Sequence, residues 1–403
     1  MRVLFAPHTS PSHYLPVAPL AQACRAAGHE VRVAVQPPLV DVVQKSGHVP
    51  VTMGAGYDHE TDLAALLRDD MRTYGRPLTA DLMATLAPEA REGIRNRMRD
   101  CQIRIAEAVI EELLRFTRTW RADIVVADPM MLAAPLAAEV TGIPLVHYTW
   151  APDYLRHQVG FPGVGMPVDR WPETLVRLFA RFGAQPRPEY AGCTLDPWPD
   201  SLQLPGMPNR VPYRYVPYNG PGTVPDLLWR EPRPRRRICV TWGTVATRRT
   251  GPEGFLVPRV IEGLAGSDAE IVLALAPDDA DRLGTLPHNV RVTSGTPLHV
   301  LLPECDAIIH QGGGGTTLTA AACGVPQAVL ALAADLRLNA TQLAKAGAGL
   351  ALEPGRTGPA DIRAAADALL EDRDLRAAAT RLQEEIRAQP SPARIVPVLE
   401  GKV

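Results

Sequence analysis

Short apolar runs recur along this chain, and helix-spaced apolar positions separate them. Residues 2–6 are one such run, closed by Pro7, the pattern of a strand buried on both faces. Residues 16–27 then predict a helix with Gly28 at its C-terminal stop, and residues 31–35 predict the next strand. A second unit repeats the order: strand 124–127, helix 133–140, strand 145–148. Between them, residues 63–118 read as helical, with Glu107, Glu111 and Glu112 set among Ile105, Val109 and Leu113. From 151 to 237 the regular pattern fails and Pro, Gly and Tyr dominate, which predicts loops leading into a linker. A second series begins at 238–241 and continues with strands 270–274, 307–310 and 327–330, then a charged final helix over 375–388.

Strands alternating with helices predict parallel sheets covered on both faces, and two such series predict two open α/β domains with a crevice between them. The boundaries read as 1–217, a linker over 218–237, a second domain over 238–385 and a tail over 386–403. A length of 403 residues suits two cores. Apolar residues make up 46% and charged residues 21%, enough to fill them. The formal net charge of -2 and the lack of a long basic run argue against nucleic acid as a partner. The short basic cluster from Arg233 to Arg237 is expected to be a solvated linker. Six scattered cysteines without a C-x-x-C pair fit a reducing compartment better than a disulfide frame or a zinc site. The first residues carry too short an apolar run for a signal peptide, and the apolar stretch 319–334 is interrupted by Gly324 and Pro326. A cytoplasmic protein without a membrane span is expected.

In open α/β sheets ligands bind beyond the carboxyl ends of strands, so chemistry is sought there. The strongest feature runs from Ile308 to Thr319: a strand, the glycines Gly312, Gly313, Gly314 and Gly315, and a helix start. Glycines let backbone N–H groups approach an anion, and a helix N-terminus adds partial positive charge. His310, Gln311 and Thr316 stand ready as side-chain donors to a diphosphate. No Lys follows the glycines, so this is not a Walker loop. Near the N-terminus, His13 falls between the first strand and the first helix, where an imidazole can take a proton from a hydroxyl or simply cap the helix. Asp128 follows the strand 124–127, placed either to orient that imidazole or to cap the next helix. Asp279-Ala-Asp281 matches a D-x-D metal pattern, but it follows Pro277 and reads as an exposed helix start, so no metal is expected. No G-x-S-x-G elbow suggests a serine nucleophile.

With these segments in view the chain resembles the actinobacterial antibiotic glycosyltransferases. They are inverting, polyketide-tailoring enzymes of the GT-B fold, in which two Rossmann-like domains face each other. The landmarks are His13 with Pro16, residues 26–31, Val125 to Asp128, Arg214 to Gly220, Val240 to Thr244, Pro297 to Pro303, His310 to Thr316, Gly324 to Gln327, Asn339 with Ala340, and Pro390 to Pro392. The resemblance implies an acceptor-binding N-terminal domain, a nucleotide-sugar-binding C-terminal domain and a tail packed back on the first. It implies His13 as general base with Asp128 supporting it. Donor contacts are then expected from Trp242, Thr244, Gly295, Thr296, His310, Gln311, Gly312 to Thr316, Asp335 and Leu336. Acceptor contacts are expected from Tyr14, Trp150 and Tyr154.

Four departures shape the expected substrate. Gln311 stands where the family commonly has a second histidine, and Gly295 where relatives place an aromatic ring on the base, so base stacking is either weakened or supplied elsewhere, with Trp242 the candidate. Leu336 replaces a Gln that binds sugar hydroxyls, and Thr319 a Glu that wider relatives use on ribose. An apolar residue suits a deoxygenated ring carbon, and a missing acid suits a donor without a 2′-OH. The expected donor is a thymidine-diphosphate (TDP) deoxysugar, used as co-substrate with no cofactor, and the expected acceptor is a small hydrophobic natural product. Transfer to carbon instead of oxygen, a nucleotide-sugar epimerase and a non-catalytic auxiliary subunit are the alternatives. A homodimer and an activating protein are conceivable partners.

Overall fold

The computed structural model describes residues 1–75, 78–231, 235–243, 247 and 252–403. Among them two sheets form, and every strand pair within each is parallel. The N-terminal sheet contains β1 (Arg2–Ala6), β2 (Glu30–Val35), β3 (Pro50–Thr52), β4 (Ile124–Ala127), β5 (Leu145–Tyr148), β6 (Thr194–Asp196) and β7 (Arg210–Pro212), ordered 3-2-1-4-5-6-7. The C-terminal sheet contains β8 (Arg237–Thr241), β9 (Glu270–Leu275), β10 (Val290–Ser294), β11 (Ala307–His310), β12 (Gln327–Leu330) and β13 (Gly349–Leu352), ordered 10-9-8-11-12-13. In both sheets the order reverses beside the first strand, which opens a crevice between β1 and β4 and another between β8 and β11.

The central strands are mostly apolar because helices cover both faces: β4, β11 and β12 are buried at every position. The C-terminal helix Pro392–Glu400 crosses back to the first domain, where Ile395, Val396 and Leu399 join Leu20, Cys24 and Val33 in one core. No helix among the described residues is long and apolar enough to cross a membrane.

Several expectations need correction. The stretch 151–217 is not irregular, since it holds the helix Glu173–Arg181 and the strands β6 and β7. Each of those strands is three residues long, too short to show a period. The stretch 63–118 is three helices, His59–Tyr74, Ala80–Thr85 and Pro88–Trp120. The first stops at left-handed Gly75 (φ 68°), and Pro88 starts the last. The helix expected over 16–27 runs Ala18–Ala26, and a separate short helix, Pro11–Tyr14, precedes it with Pro16 between the two. Arg237 is no solvated linker residue; it is buried at the start of β8 and paired with Glu270 at 2.7 Å. Asp279 does sit on a helix start, Pro277–Ala280, but it is buried there and accepts a hydrogen bond from Thr247 Oγ1 at 3.2 Å.

Candidate active site

His13 and Asp128 meet at the N-terminal switch point because each follows one of the two diverging strands. The short helix Pro11–Tyr14, started by Pro11, presents His13 toward the crevice. Nδ1–H of His13 donates to Oδ2 of Asp128 at 2.7 Å. A carboxylate only accepts, so in the neutral imidazole Nδ1 carries the proton and Nε2 keeps its lone pair. The other oxygen of Asp128 accepts the N–H of Met130 at 2.8 Å, so this residue caps the turn after β4 and holds the imidazole as well. The hydroxyl of Tyr148 donates to the backbone carbonyl of His13 at 3.0 Å, and the Trp150 ring lies 4.3 Å from the His13 ring.

Opposite stands the glycine loop after β11. Gly312 has φ 94°, and a Cβ there would meet Val329 Cγ1 at 2.8 Å and the Leu336 carbonyl at 3.0 Å, so only glycine fits. Asn339 Nδ2 donates to the Gly312 carbonyl at 2.8 Å and pins the turn. The helix Gly314–Cys323 then begins without a side-chain cap, so its first amides face the crevice with no intrahelical acceptor. At Gly314 the backbone abuts the Trp150 carbonyl and the Trp198 ring, which seats the start of this helix directly against the N-terminal half of the chain.

One cavity of about 460 Å³ joins the two halves, within the range of small-molecule sites. It is lined by Ser12, His13 and Trp150 on one side. Gly295, Thr296, Gln311, Gly313, Gly314, Gly315, Thr316, Asp335 and Leu336 line the other. The cavity therefore brings together His13, the glycine loop and the residues expected around the sugar.

Other expected site residues lie elsewhere. Tyr14 is in the core, its hydroxyl bonded to Ser46 at 2.6 Å and to His48 at 3.1 Å, because one helical step past His13 turns it inward. His310 is fully buried: Nδ1 accepts the Gly312 N–H at 3.0 Å and Nε2 donates to Gln327 Oε1 at 2.9 Å. Burial lowers its pKa to about 4, so it is a neutral brace for the loop with no proton left for a phosphate. Gly312 stands behind the loop, its N–H taken by that ring. Trp242 reaches the cavity wall but has no exposed surface, and its indole N–H donates to the Gly254 carbonyl at 2.7 Å, so it offers no face to a base. Tyr154 lines a separate small pocket with His147 and Asp153; burial and the nearby Asp335 carboxylate raise its pKa. Thr244 lies outside the described residues.

Sequence reasoning missed Tyr215, Tyr218 and Asn219, which line the cavity from the linker side. Asn219 Oδ1 accepts the backbone N–H of His299 at 3.0 Å, and its Nδ2 donates to Thr319 Oγ1 at 3.1 Å. The run from Arg214 to Gly220 is a sequence landmark, but nothing in it shows which side chains turn inward. Thr319 is buried, its hydroxyl donating to the Gly315 carbonyl at 2.6 Å. Among the described residues no cluster of three or more His, Cys, Asp or Glu is arranged to hold a metal.

Two family models cover most of the chain. Residues 22–243 match the N-terminal domain described as erythromycin biosynthesis protein CIII-like, and residues 258–401 match the C-terminal domain of the same description. Tylactone mycaminosyltransferase of Streptomyces fradiae is 36% identical, over 99% of this chain and 92% of that protein. The 10-deoxymethynolide desosaminyltransferase of Streptomyces venezuelae is also 36% identical, over 99% and 96%. Among solved structures, the spinosyn rhamnosyltransferase SpnG complexed with thymidine diphosphate is 28% identical, with a TM-score of 0.82 over 99% of this chain and 100% of that one.

Proposed function

Because the chain belongs to the erythromycin biosynthesis protein CIII-like family of GT-B glycosyltransferases, we propose that it moves a deoxysugar from thymidine diphosphate to a hydroxyl of a polyketide-type aglycone, with His13 as general base. The observation that carries this reading is His13, held by Asp128 at 2.7 Å and facing the same cavity as the glycine loop.

In this mechanism the acceptor oxygen attacks the anomeric carbon as the bond from that carbon to the diphosphate oxygen breaks, and the configuration inverts. The acceptor proton passes to Nε2 of His13, and Asp128 stabilises the imidazolium through Nδ1–H. The departing diphosphate gains negative charge. The free amides at the start of the helix Gly314–Cys323, its dipole and the Gln311 amide are set to receive that charge. Enclosure between two domains keeps water from the donor.

The donor choice rests on two residues. Leu336 gives the cavity an apolar wall beside Asp335, which suits a ring carbon without its hydroxyl. Thr319, with its hydroxyl already satisfied, leaves no carboxylate on that helix turn for a ribose 2′-OH. The names of the relatives agree in kind, since they transfer mycaminose and desosamine. Competition between a TDP-deoxysugar and uridine-diphosphate glucose for one polyketide acceptor tests the reading. The TDP-deoxysugar should win in kcat/KM. Equal or better use of uridine-diphosphate glucose would refute the donor assignment and leave the family assignment standing.

A further inference from the structure

Trp150 is not the only ring against the general base. His8, two residues beyond β1 and 2% exposed, places its ring centroid 4.8 Å from that of His13, inclined 42°. Its Nε2 donates to Oε1 of Gln102 at 2.8 Å, on the long helix Pro88–Trp120. His59, the first residue of the helix His59–Tyr74, meets the His8 ring edge-on at 5.2 Å. Three elements of the acceptor side thus converge on His13 through His8.

The hydrogen bond to Asp128 fixes one nitrogen of His13 but not the tilt of the ring, because the torsion at an sp³–sp² bond has a broad minimum. General-base catalysis needs the lone pair of Nε2 aimed at one hydroxyl within hydrogen-bond reach. Two flanking rings restrict that tilt. An apolar side chain at position 8 could supply contact, but only one with an N–H to give also has its own orientation fixed by Gln102.

We propose that His8 is a positioning residue for the general base, tethered by Gln102 and holding the plane of the His13 imidazole together with Trp150. This rests on the reading of His13 as the base. It does not assign His8 a contact with either substrate.

The test compares His8→Ala, His8→Phe and Gln102→Leu, each alone and in a His13→Ala background. The readouts are kcat and donor KM with a TDP-deoxysugar and a polyketide lactone that the wild type glycosylates, and binding of TDP alone. His8→Ala should lower kcat about 10- to 100-fold, the scale of a misaligned reacting group. Donor KM and TDP affinity should stay within about twofold, and His8→Phe should regain most of the loss by restoring a ring. Adding His8→Ala to His13→Ala should cost nothing more, because the two residues act as one unit. If His8→Ala does not fold, Gln102→Leu carries the test, with a smaller fall in kcat at unchanged KM expected. Undiminished kcat in the folded variant would overturn the proposal. So would an equal loss in the His13→Ala background, with the base reading intact. Wild-type turnover in His13→Ala alone would instead remove the base reading itself.

Discussion

His13 and Asp128 are far apart in the chain yet 2.7 Å apart in space, because β1 and β4 are neighbours whose connections leave on opposite sides. Both positions were legible in the sequence, since each follows a short apolar run and therefore stands at a strand mouth. If the carboxylate fixes the imidazole tautomer, Asp128→Asn should lower turnover at least about tenfold with TDP binding intact, because an amide can present its N–H to Nδ1 and favour the wrong tautomer. Kinetics beside calorimetry with TDP checks this, and unaltered turnover would release Asp128 from its role. A second expectation belongs to Leu336. A sugar hydroxyl buried against it loses water without a new partner, at about 1–3 kcal/mol, or roughly 5- to 150-fold. Leu336→Gln should therefore narrow the preference for deoxysugar donors in paired competition assays. What the sequence could not show is which way a side chain points. His310 adjoins the glycines yet belongs to a strand buried on both faces, and Tyr14 follows His13 yet faces the core.

At the scale of elements, the central strands of both sheets could be read directly from their apolar runs, whereas β3, β6, β7 and β13 could not. They are three or four residues long, and β3, β7 and β13 lie at sheet edges where most positions are half-buried or exposed, so burial enforces no long apolar run there. β10 alternates buried and open positions less regularly and was also missed. Two buried strands carry a consequence for stability. His147 on β5 and His310 on β11 are both lowered to about 4 by burial, with Arg156 adding to the effect on His147. In the unfolded chain a histidine takes a proton near pH 6.5, so below that pH the unfolded state binds more protons than the folded one. Their contribution is thus complete above about pH 6.5 and is lost as pH falls toward 4. The loss is about 1.4 kcal/mol per pH unit for each proton. Asp196, raised by its own burial, offsets part of the fall at the acid end. Denaturant unfolding at pH 7, 6 and 5 should show a declining midpoint, and His310→Gln should flatten the slope. A flat wild-type profile would contradict the argument.

At the scale of the whole molecule, two switch points face each other across one cavity, and the chain is tied together at its end. The helix Pro392–Glu400 places Ile395, Val396 and Leu399 in the core of the first domain, and the Arg214 N–H donates to the Pro390 carbonyl at 2.8 Å. Each such buried side chain contributes about 1.5–3 kcal/mol. Ending the chain after Pro390 should therefore lower the thermal midpoint markedly, and an unchanged midpoint would show the tail to be dispensable. If the loop, the helix dipole and the Gln311 amide stabilise the leaving group alone, transfer should survive exhaustive chelation. Activity that vanishes with chelator and returns with magnesium or manganese would place an ion in the mechanism. The most direct measurement compares turnover of His13→Ala and the wild type under saturating TDP-deoxysugar, with TDP affinity determined in parallel. The account predicts a loss of at least about 100-fold, the usual scale for a missing general base, with TDP affinity within about twofold. Wild-type turnover in His13→Ala would contradict it.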